Sequence, residues 1–354
     1  MKLRSGFGGG TWNWLYLAWA LLGMAAPFAA RSGLLGSGRT AEILFALSFT
    51  WIAIVGMACV GFILMDLTSL AARIVDLIAG TTFTARFFSP RKCVPVTLIL
   101  ITLVVLYSFF EAWNVRYVEL TLKTTKLPEG VDRLRLVYVT DVHLGGLYAA
   151  RRLERIMDLV RSARPDIFAV TGDLVDGDMS GRQYEVELLA SHGSRYGAFA
   201  VTGNHDFYAG IEQSLAFMEK SGLTVIRDER KDVAGITLVG LDDPAKFRRG
   251  FNTPEHWPED LNDLSADRFV LLLKHRPQLI EGTAGKFDLQ LSGHTHGGQI
   301  WPFGYLANRV NNSVQHLSQI EGSFVYVSNG AGFWGPPLRL LTPPEVTIID
   351  LVRE

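Results

Sequence analysis

One short pattern occurs five times in the chain: an apolar run typical of a β-strand, followed at once by Asp, His or Asn, in four cases beside a glycine. The apolar runs cover residues 135–140, 166–171, 198–202, 269–274 and 287–292. Folds that alternate strands with helices place their site at the carboxyl ends of the strands. The sequence therefore predicts that the polar residues after all five strands meet at one site.

Seven side chains with oxygen or nitrogen donors follow these strands. They are Asp141, His143, Asp173, Asn204, His275, His294 and His296. One metal ion needs about four to six ligands, so this set suits two ions that share a carboxylate. Asp173 is the predicted bridge. We assign Asp141, His143 and His296 to one ion, together with Asp173. We assign Asn204, His275 and His294 to the other.

The predicted chemistry is displacement at phosphorus. Two cations about 3.5–4 Å apart acidify a bridging water and neutralise phosphoryl oxygens, so the predicted nucleophile is a metal-bound hydroxide. His205 is not needed as a ligand and is predicted to be a protonated imidazole that donates to the leaving oxygen. Asp206 is its predicted orienting partner, and Asp176 is predicted to brace a ligand. The donors contain no thiolate, which leaves Mn²⁺, Fe or Zn²⁺ as candidate metals.

Each of these residues also has an ordinary explanation. Asp141 and Asp173 could be turn or helix-cap residues after strands, and Asp206 could cap the helix that follows it. His275 lies between two basic residues and could be a surface histidine. These explanations do not account for the coincidence of so many donors in five separate segments.

The amino-terminal third of the chain differs in composition from the rest. Three apolar runs lie at about residues 11–30, 41–65 and 94–112. Each is about as long as the ~20 residues needed to cross a bilayer, so they predict three transmembrane helices. The charged segment 66–92 predicts an interfacial amphipathic helix rather than a fourth crossing. The alternative is a cleaved signal peptide followed by buried core helices, but three such runs are too many for it.

The distribution of basic residues predicts the orientation in the membrane. With three crossings, Lys2, Arg4 and the basic segment 66–92 fall on one side, and the positive-inside rule places that side in the cytoplasm. The sequence thus predicts a transmembrane domain over residues 1–114 and an extracytoplasmic catalytic domain over residues 115–354. A fourth crossing would reverse this orientation.

From residue 115 onward, short strands alternate with helical stretches, which predicts an α/β sandwich of sheets with helices outside. The predicted helices cover residues 148–160, 182–189, 211–221 and 277–284, and further strands cover 224–226, 236–241, 324–327 and 346–351. Segments 242–258 and 300–322 are predicted to be loops near the site. The net charge of −1 does not resemble a basic nucleic-acid surface, and two cysteines build no disulfide framework.

The ordered motifs carry a resemblance to a known family. They are Asp141-x-His143, Gly172-Asp-x-x-Asp176, Gly203-Asn-His-Asp206, His275 and Gly293-His-x-His296. This series resembles the calcineurin-like metallophosphoesterase superfamily over about residues 134–354. The resemblance implies an αββα sandwich of two sheets, a dinuclear metal site with the ligands assigned above, and hydrolysis of phosphomonoesters or phosphodiesters.

Three further segments, at residues 240–244, 295–299 and 328–339, resemble the bacterial membrane-associated or exported branch of that superfamily. Some members of the branch act on lipid-linked phosphate, so the resemblance implies a phospholipid or lipid-linked pyrophosphate as substrate. Four aromatic residues near the motifs are candidates to line an apolar channel for acyl chains, although aromatics ordinarily pack in cores. They are Trp301, Phe303, Phe333 and Trp334.

The predicted function is a phosphoesterase anchored in the bacterial inner membrane, with two divalent metal ions, a phosphoester substrate and no nucleic-acid partner. The first alternative is a phosphodiesterase for a soluble nucleotide or cyclic nucleotide. A second alternative is a non-catalytic membrane scaffold that retains the fold. A scaffold would be expected to lose ligands, whereas every donor position and His205 are filled here.

Overall fold

The computed structural model describes Gly23 and residues 39–247, 257–313 and 315–354. The chain divides into two compact units, of which the first comprises Met1–Phe110 and Gly335–Leu338 and the second comprises Glu111–Trp334 and Arg339–Glu354. The transmembrane helix predicted at about residues 11–30 lies outside the described residues, except for Gly23, which is helical.

The described part of the first unit is helical. It contains α1 (Arg39–Ala79), α2 (Phe83–Phe87) and α3 (Pro90–Trp113), and the last turn of α3 belongs to the second unit. Helices α1 and α3 are long and apolar enough to cross a bilayer, and few of the side chains in their most apolar windows are buried. The described residues therefore contain two candidate membrane helices, not the three predicted from the sequence.

Helix α1 does not end near residue 65, as predicted, but continues to Ala79. Residues 62–79 include no Gly or Pro, so nothing in the backbone interrupts the helix. It ends where Gly80 takes a left-handed φ of 66°. The separate interfacial helix predicted within residues 66–92 is therefore wrong, because charged side chains interrupt the apolar pattern without interrupting the helix.

The second unit is built on two six-stranded sheets. The first sheet has the order β1-β12-β2-β3-β4-β5 and the second has the order β10-β11-β9-β8-β7-β6. The strands of the first are β1 (Arg116–Thr124), β2 (Arg133–Val139), β3 (Ile167–Thr171), β4 (Ala198–Val201), β5 (Leu223–Val225) and β12 (Glu345–Arg353). Those of the second are β6 (Glu229–Val233), β7 (Ile236–Gly240), β8 (Val270–Leu273), β9 (Leu289–Ser292), β10 (His316–Ile320) and β11 (Ser323–Val327).

Parallel pairing aligns the strands that precede the polar motifs. Strands β2, β3 and β4 pair in parallel in the first sheet, and β8 and β9 pair in parallel in the second. Each of these strands is buried on both faces over most of its length, as expected for parallel strands with both faces covered. The carboxyl ends of the parallel strands in each sheet therefore lie together, as the sequence pattern predicts.

Two apolar layers hold the sandwich together. Leu136 and Tyr138 of the first sheet pack with Leu271 and Leu291 of the second in one buried cluster between the sheets. Helices cover the other face of the first sheet: α4 (Ala149–Ala163), α5 (Gln183–Ala190), α6 (Asn204–Ala209) and α7 (Ile211–Lys220). Each fully buried side chain of this size contributes about 1.5–3 kcal/mol, so this layering accounts for the stability of the second unit.

Two predictions about the second sheet are wrong. Residues 277–284 do not form a helix; they form an irregular segment with a bend and turns, in which Gly282 takes a left-handed φ of 74°. Within the described residues, a short 3₁₀ helix (Glu259–Leu261) and loop side chains such as Trp257 and Phe287 cover this face instead. The predicted loop 300–322 contains helix α8 (Phe303–Val310) and strand β10.

Candidate metal centre

The loops after β2, β3, β8 and β9 bring six of the seven predicted donors together, and the seventh, Asn204, is buried at the start of the helix after β4. Backbone hydrogen bonds fasten the loops to one another: His143 N donates to Asp173 O at 2.9 Å, and Gly293 N donates to His275 O at 2.9 Å. Because these loops emerge from parallel strands of two facing sheets, both sheets contribute side chains to one small volume.

The first group of donors comprises Asp141, His143 and His296, whose ligand atoms lie within 4.8 Å of one another. The two Nε2 atoms of the histidines are 3.0 Å apart, and Asp141 Oδ1 is 3.4 Å from His296 Nε2. Two imidazole nitrogens and a carboxylate oxygen that point at one position form a set suited to a divalent cation.

The second group comprises Asp173, His275 and His294, again within 4.8 Å. Asp173 Oδ2 lies 3.1 Å from His275 Nε2, and His294 Nδ1 lies 3.3 Å from the same nitrogen. The other ring nitrogen of His275 donates to the carbonyl of Thr171 at 2.9 Å, which orients the ring. Histidine ligands in metal sites are held in this way.

Asp173, a member of the second group, also lies close to the first. Its Oδ2 faces His275 and is also 3.8 Å from His143 Nε2 of the first group. Its Oδ1 accepts the backbone N–H of His205 at 2.8 Å. Asp173 therefore faces both groups through a single oxygen.

Asn204 supports the presence of a cation independently. Its side chain is buried, and its Oδ1 has no hydrogen-bond partner among the residues that the structure describes. A buried amide oxygen without a partner costs about 1–3 kcal/mol, and a metal ion would remove that cost. The residues thus fit a metal site for two reasons: their donor atoms are of the types that bind divalent cations, and the buried Asn204 Oδ1 has no other described partner.

The electrostatics of the second group also call for a positive charge. Burial lowers the pKa of His294 to about 3, so its imidazole is neutral and has a free lone pair. Burial opposes charge on His275 too, but the carboxylates of Asp173 and Asp141 raise the pKa of His275 to about 10. A protonated His275 thus lies against Asp173 Oδ2, where a cation would take the place of the proton.

Five of the seven donors have a left-handed backbone. The φ angles are 54° at Asp141, 51° at His143, 50° at Asp173, 69° at His294 and 51° at His296. Non-glycine residues rarely take this conformation, at a cost of about 1–3 kcal/mol each, and such residues cluster at functional sites. The hydrogen bonds between the loops hold them in place.

Gly293 makes room for the first group, because a Cβ at this position would meet Asp141 Oδ2 and the side chain of Thr140. Gly293→Ala is expected to lower the free energy of unfolding by about 1–3 kcal/mol, measured by denaturant unfolding. The control is Gly146→Ala, where a Cβ would meet nothing within 4 Å, and the expected change is within about 0.5 kcal/mol. Equal stability of the two variants would contradict the packing argument.

His205 lies beside both groups, with its ring partly buried and 4.8 Å from that of His143. Its Nδ1 is 2.7 Å from Asp176 Oδ1, and Asp176 Oδ2 is 3.3 Å from His143 Nδ1. Asp176 therefore braces both histidines. Burial lowers the pKa of His205, but the hydrogen bond to Asp176 and the charge of Asp173 outweigh it, and the net direction is upward.

Asp206 does not orient His205, and that prediction is wrong. The Asp206 carboxylate accepts three backbone N–H groups, from Gly203 at 2.7 Å, Asp173 at 3.0 Å and Val175 at 2.8 Å. It lies in the first turn of α6, where an acidic side chain reaches back to satisfy unpaired N–H groups. Asp206 thus joins the loops that carry Asp173 and Asn204 rather than contacting the imidazole.

Two buried arginines in the site were not predicted. Arg339 donates to the carbonyl oxygens of Gly332 and Thr342 at 2.9 Å, and its Nη2 is 3.2 Å from His296 Nδ1. Arg152 donates to the carbonyl oxygens of Val142 and His143. Arg339 is the last residue of a segment that resembles the family, and this resemblance is the only sequence signal that could have identified it. The sequence around Arg152 resembles an amphipathic helix, in which an arginine is expected on the surface.

A buried ion pair supports the loop that carries His275. Arg276 Nε lies 2.8 Å from Asp243 Oδ2, and its Nη2 lies 3.0 Å from Oδ1. Asp243→Ala removes a two-oxygen contact from a buried guanidinium, so we expect a loss of about 3–5 kcal/mol in the free energy of unfolding. The matched control is Asp263→Ala, which breaks the exposed pair with Arg230 and is expected to cost under about 1 kcal/mol. Similar losses in both variants would show that the buried Asp243–Arg276 pair stabilises the protein no more than the exposed pair does.

Comparison with known proteins agrees with this geometry. The sequence model of the calcineurin-like phosphoesterase family matches residues 134–298. An uncharacterized metallophosphoesterase of Aquifex aeolicus is 36% identical over 250 residues, which cover 69% of this chain and 95% of that protein. An uncharacterized metallophosphoesterase of Campylobacter jejuni is 34% identical over 229 residues, or 64% of this chain and 61% of that protein.

A third relative has a membrane-related name. A protein of Danio rerio named transmembrane protein with metallophosphoesterase domain is 32% identical over 250 residues, which cover 67% of this chain and 57% of that protein. The chain therefore spans about 60% of the length of the Campylobacter and Danio relatives.

Proposed function

The chain belongs to the calcineurin-like phosphoesterase family, and from this premise we propose that it is a membrane-anchored phosphoesterase that uses two divalent metal ions. The observation that carries the proposal is the pair of adjacent donor groups, with Asp173 Oδ2 at 3.1 Å from His275 Nε2 of one and 3.8 Å from His143 Nε2 of the other. Two ions held there would polarise the phosphoryl oxygens and acidify an attacking water. Mn²⁺, Fe or Zn²⁺ suits a set of carboxylate, amide and imidazole donors.

The chain's own residues have distinct roles in this proposal. Asp141, His143 and His296 would hold one ion. Asn204, His275 and His294 would hold the other, and Asp173 would contact both. His205, fixed by Asp176 through Nδ1, is the proposed proton donor to the leaving oxygen, because it lies beside His143 and Asp173 and neither proposed ion needs it as a ligand.

The amino-terminal helices are the proposed anchor. We propose a transmembrane domain over residues 1–114 and a catalytic domain over residues 115–354, with the catalytic domain outside the cytoplasm. Support comes from the two exposed apolar helices and from the Danio relative, whose name joins a transmembrane protein to the same domain. The substrate class that fits an anchored enzyme is a phospholipid or lipid-linked pyrophosphate presented at the bilayer surface.

A soluble nucleotide is the second candidate substrate. The ring of Tyr208 lies 5.4 Å from that of His205, and the ring of Trp334 lies 5.7 Å from it. Aromatic faces beside the proton donor could stack a nucleobase. Product identification after incubation with total membrane lipid extract, and in parallel with nucleotides and cyclic nucleotides, separates the two candidates.

Metal removal provides the first test. The purified full-length protein is expected to release nitrophenol from bis-p-nitrophenyl phosphate in the presence of Mn²⁺, Fe²⁺ or Zn²⁺, and to lose this activity after chelation. Because the ions bind only the folded state, saturation at about 100 times the dissociation constant should raise stability by about 2.7 kcal/mol over the chelated protein. Thermal unfolding with and without metal measures the difference. An absence of turnover with every divalent metal tested would favour the scaffold alternative.

A further inference from the structure

We propose that the apolar stripe of helix α8 docks the catalytic unit onto the surface of the bilayer that holds the chain's own helices. The stripe is defined as Phe303, Leu306 and Val310. This inference rests on the membrane anchoring proposed above and adds a second, peripheral contact between the catalytic unit and lipid.

Helix α8 is unusual because none of its residues is buried. Phe303, Leu306 and Val310 recur at helical spacing on one side and are 53%, 59% and 74% exposed. The opposite side packs on the loop of His296, where Gly304 approaches the carbonyl oxygen of Gly297. The apolar side therefore faces away from the protein, whereas Trp301 and Leu341 line a cavity with Gly304 and Asn308 on the other side of the helix. Contiguous exposed apolar surface of this kind marks an interaction site.

A chain of contacts relates the stripe to the end of the apolar helix α3. Trp113, the last residue of α3, packs against Phe333 with ring centroids 6.1 Å apart. The next residue, Trp334, exchanges two hydrogen bonds with the side chain of Gln299, at 2.9 and 3.0 Å. Gln299 is two residues from Trp301, which leads into α8. The stripe and Trp113 are thus joined by consecutive contacts within the catalytic unit.

A lipid surface is the occupant that this arrangement favours. Tryptophan at the end of an apolar span marks the boundary between bilayer and water, so Trp113 is expected at that boundary. The guanidinium groups of Arg151 and Arg155 lie 5.7 and 5.3 Å from the Trp113 ring centroid. Basic side chains at this depth suit the anionic headgroups of phospholipids, and an amphipathic helix at the same surface would insert its apolar side about 5–10 Å into the interface.

One of the aromatic residues proposed from the sequence as an acyl-chain channel therefore receives a different role. Phe303 is exposed and belongs to the docking surface, whereas Trp301 lines a cavity beside α8. Phe333 is buried and packs against Trp113 and under the guanidinium of Arg152, at 4.3 Å from its ring centroid. Phe333 is therefore an ordinary packing aromatic.

The test is lipid quenching of fluorophores on the full-length protein in liposomes. In a Cys59→Ser, Cys93→Ser background, Leu306→Cys and Val310→Cys are labelled with an environment-sensitive dye and reconstituted in phosphatidylcholine and phosphatidylglycerol containing a 5-doxyl lipid. The matched control is Tyr184→Cys on α5, which is 50% exposed. We expect about a twofold or greater loss of emission at 306 and 310 relative to 184, as shallow insertion requires.

Three results would overturn the proposal. Equal quenching at 306, 310 and 184 means that the stripe does not contact lipid. A blue-shifted emission that the doxyl lipid does not quench means that a protein surface, such as a second copy of the chain, covers it. Flotation of the liposomes under alkaline conditions tests the anchor separately: if the protein does not float, anchoring and docking both fail. Hydrolysis of bis-p-nitrophenyl phosphate by the labelled variants shows independently whether the catalytic proposal holds.

Discussion

Replacement of Asp173 by alanine is expected to abolish metal-dependent hydrolysis of bis-p-nitrophenyl phosphate. Asp173 Oδ2 is the one oxygen that faces both donor groups, at 3.1 Å from His275 Nε2 and 3.8 Å from His143 Nε2. Its removal takes a ligand from each proposed ion at once. A loss of several kcal/mol of transition-state stabilisation corresponds to about 10³-fold or more in kcat/KM.

The measurement combines kcat/KM with the metal content of the purified variant, and both are expected to fall. Asp178→Ala is the matched control, because Asp178 lies five residues further along the chain, is exposed and pairs with Ser180 outside the site. We expect wild-type activity and metal content from it. If Asp173→Ala retained its metal and its rate, the shared-ligand proposal would fail.

The positions of the seven donors could be predicted from the sequence because the signals are local. An apolar run predicts a buried strand, and parallel strands bring their carboxyl ends together whatever the rest of the chain does. The donors after β2, β3, β8 and β9 therefore lie together. No packing detail was needed to predict this.

Contacts between side chains were less predictable, as Asp206 and Asp176 show. Asp206 is adjacent in sequence to His205, but its oxygens are occupied by backbone N–H groups of three loops. Asp176 is distant in sequence and holds the imidazole instead. The direction of a side chain at the start of a helix depends on which backbone groups need a partner, and this is set by the tertiary structure.

The errors in secondary structure have physical causes of the same kind. Strands β6 and β10 lie at the two ends of the second sheet, where each pairs with one neighbour. Charged or polar edge strands avoid aggregation, so their sequences lack the apolar alternation that identifies a strand. The buried Arg339 was missed because most of its partners are backbone carbonyls, which leave no residue pattern; the family resemblance of its segment was the only signal.

Replacement of His205 by alanine is expected to lower kcat/KM by about 10²–10⁴-fold for substrates with a poor leaving group, such as alkyl phosphodiesters, because these need a proton donor. A nitrophenolate leaves without protonation, so hydrolysis of bis-p-nitrophenyl phosphate should fall much less. The ratio of the two losses measures the role of His205 as an acid. His192→Ala, outside the site, is the control and should change neither rate.

Two further variants distinguish proton donation by His205 from a general loss of structure. Asp176→Asn weakens the hydrogen bond that holds His205 Nδ1 at 2.7 Å, so it should show the same dependence on leaving group in weaker form. Asp206→Asn disturbs the backbone N–H groups of Gly203, Asp173 and Val175, so it should lower both rates alike. Equal losses for both substrates in His205→Ala would instead assign His205 to substrate binding, because a side chain that only holds the phosphoryl group is indifferent to the leaving oxygen.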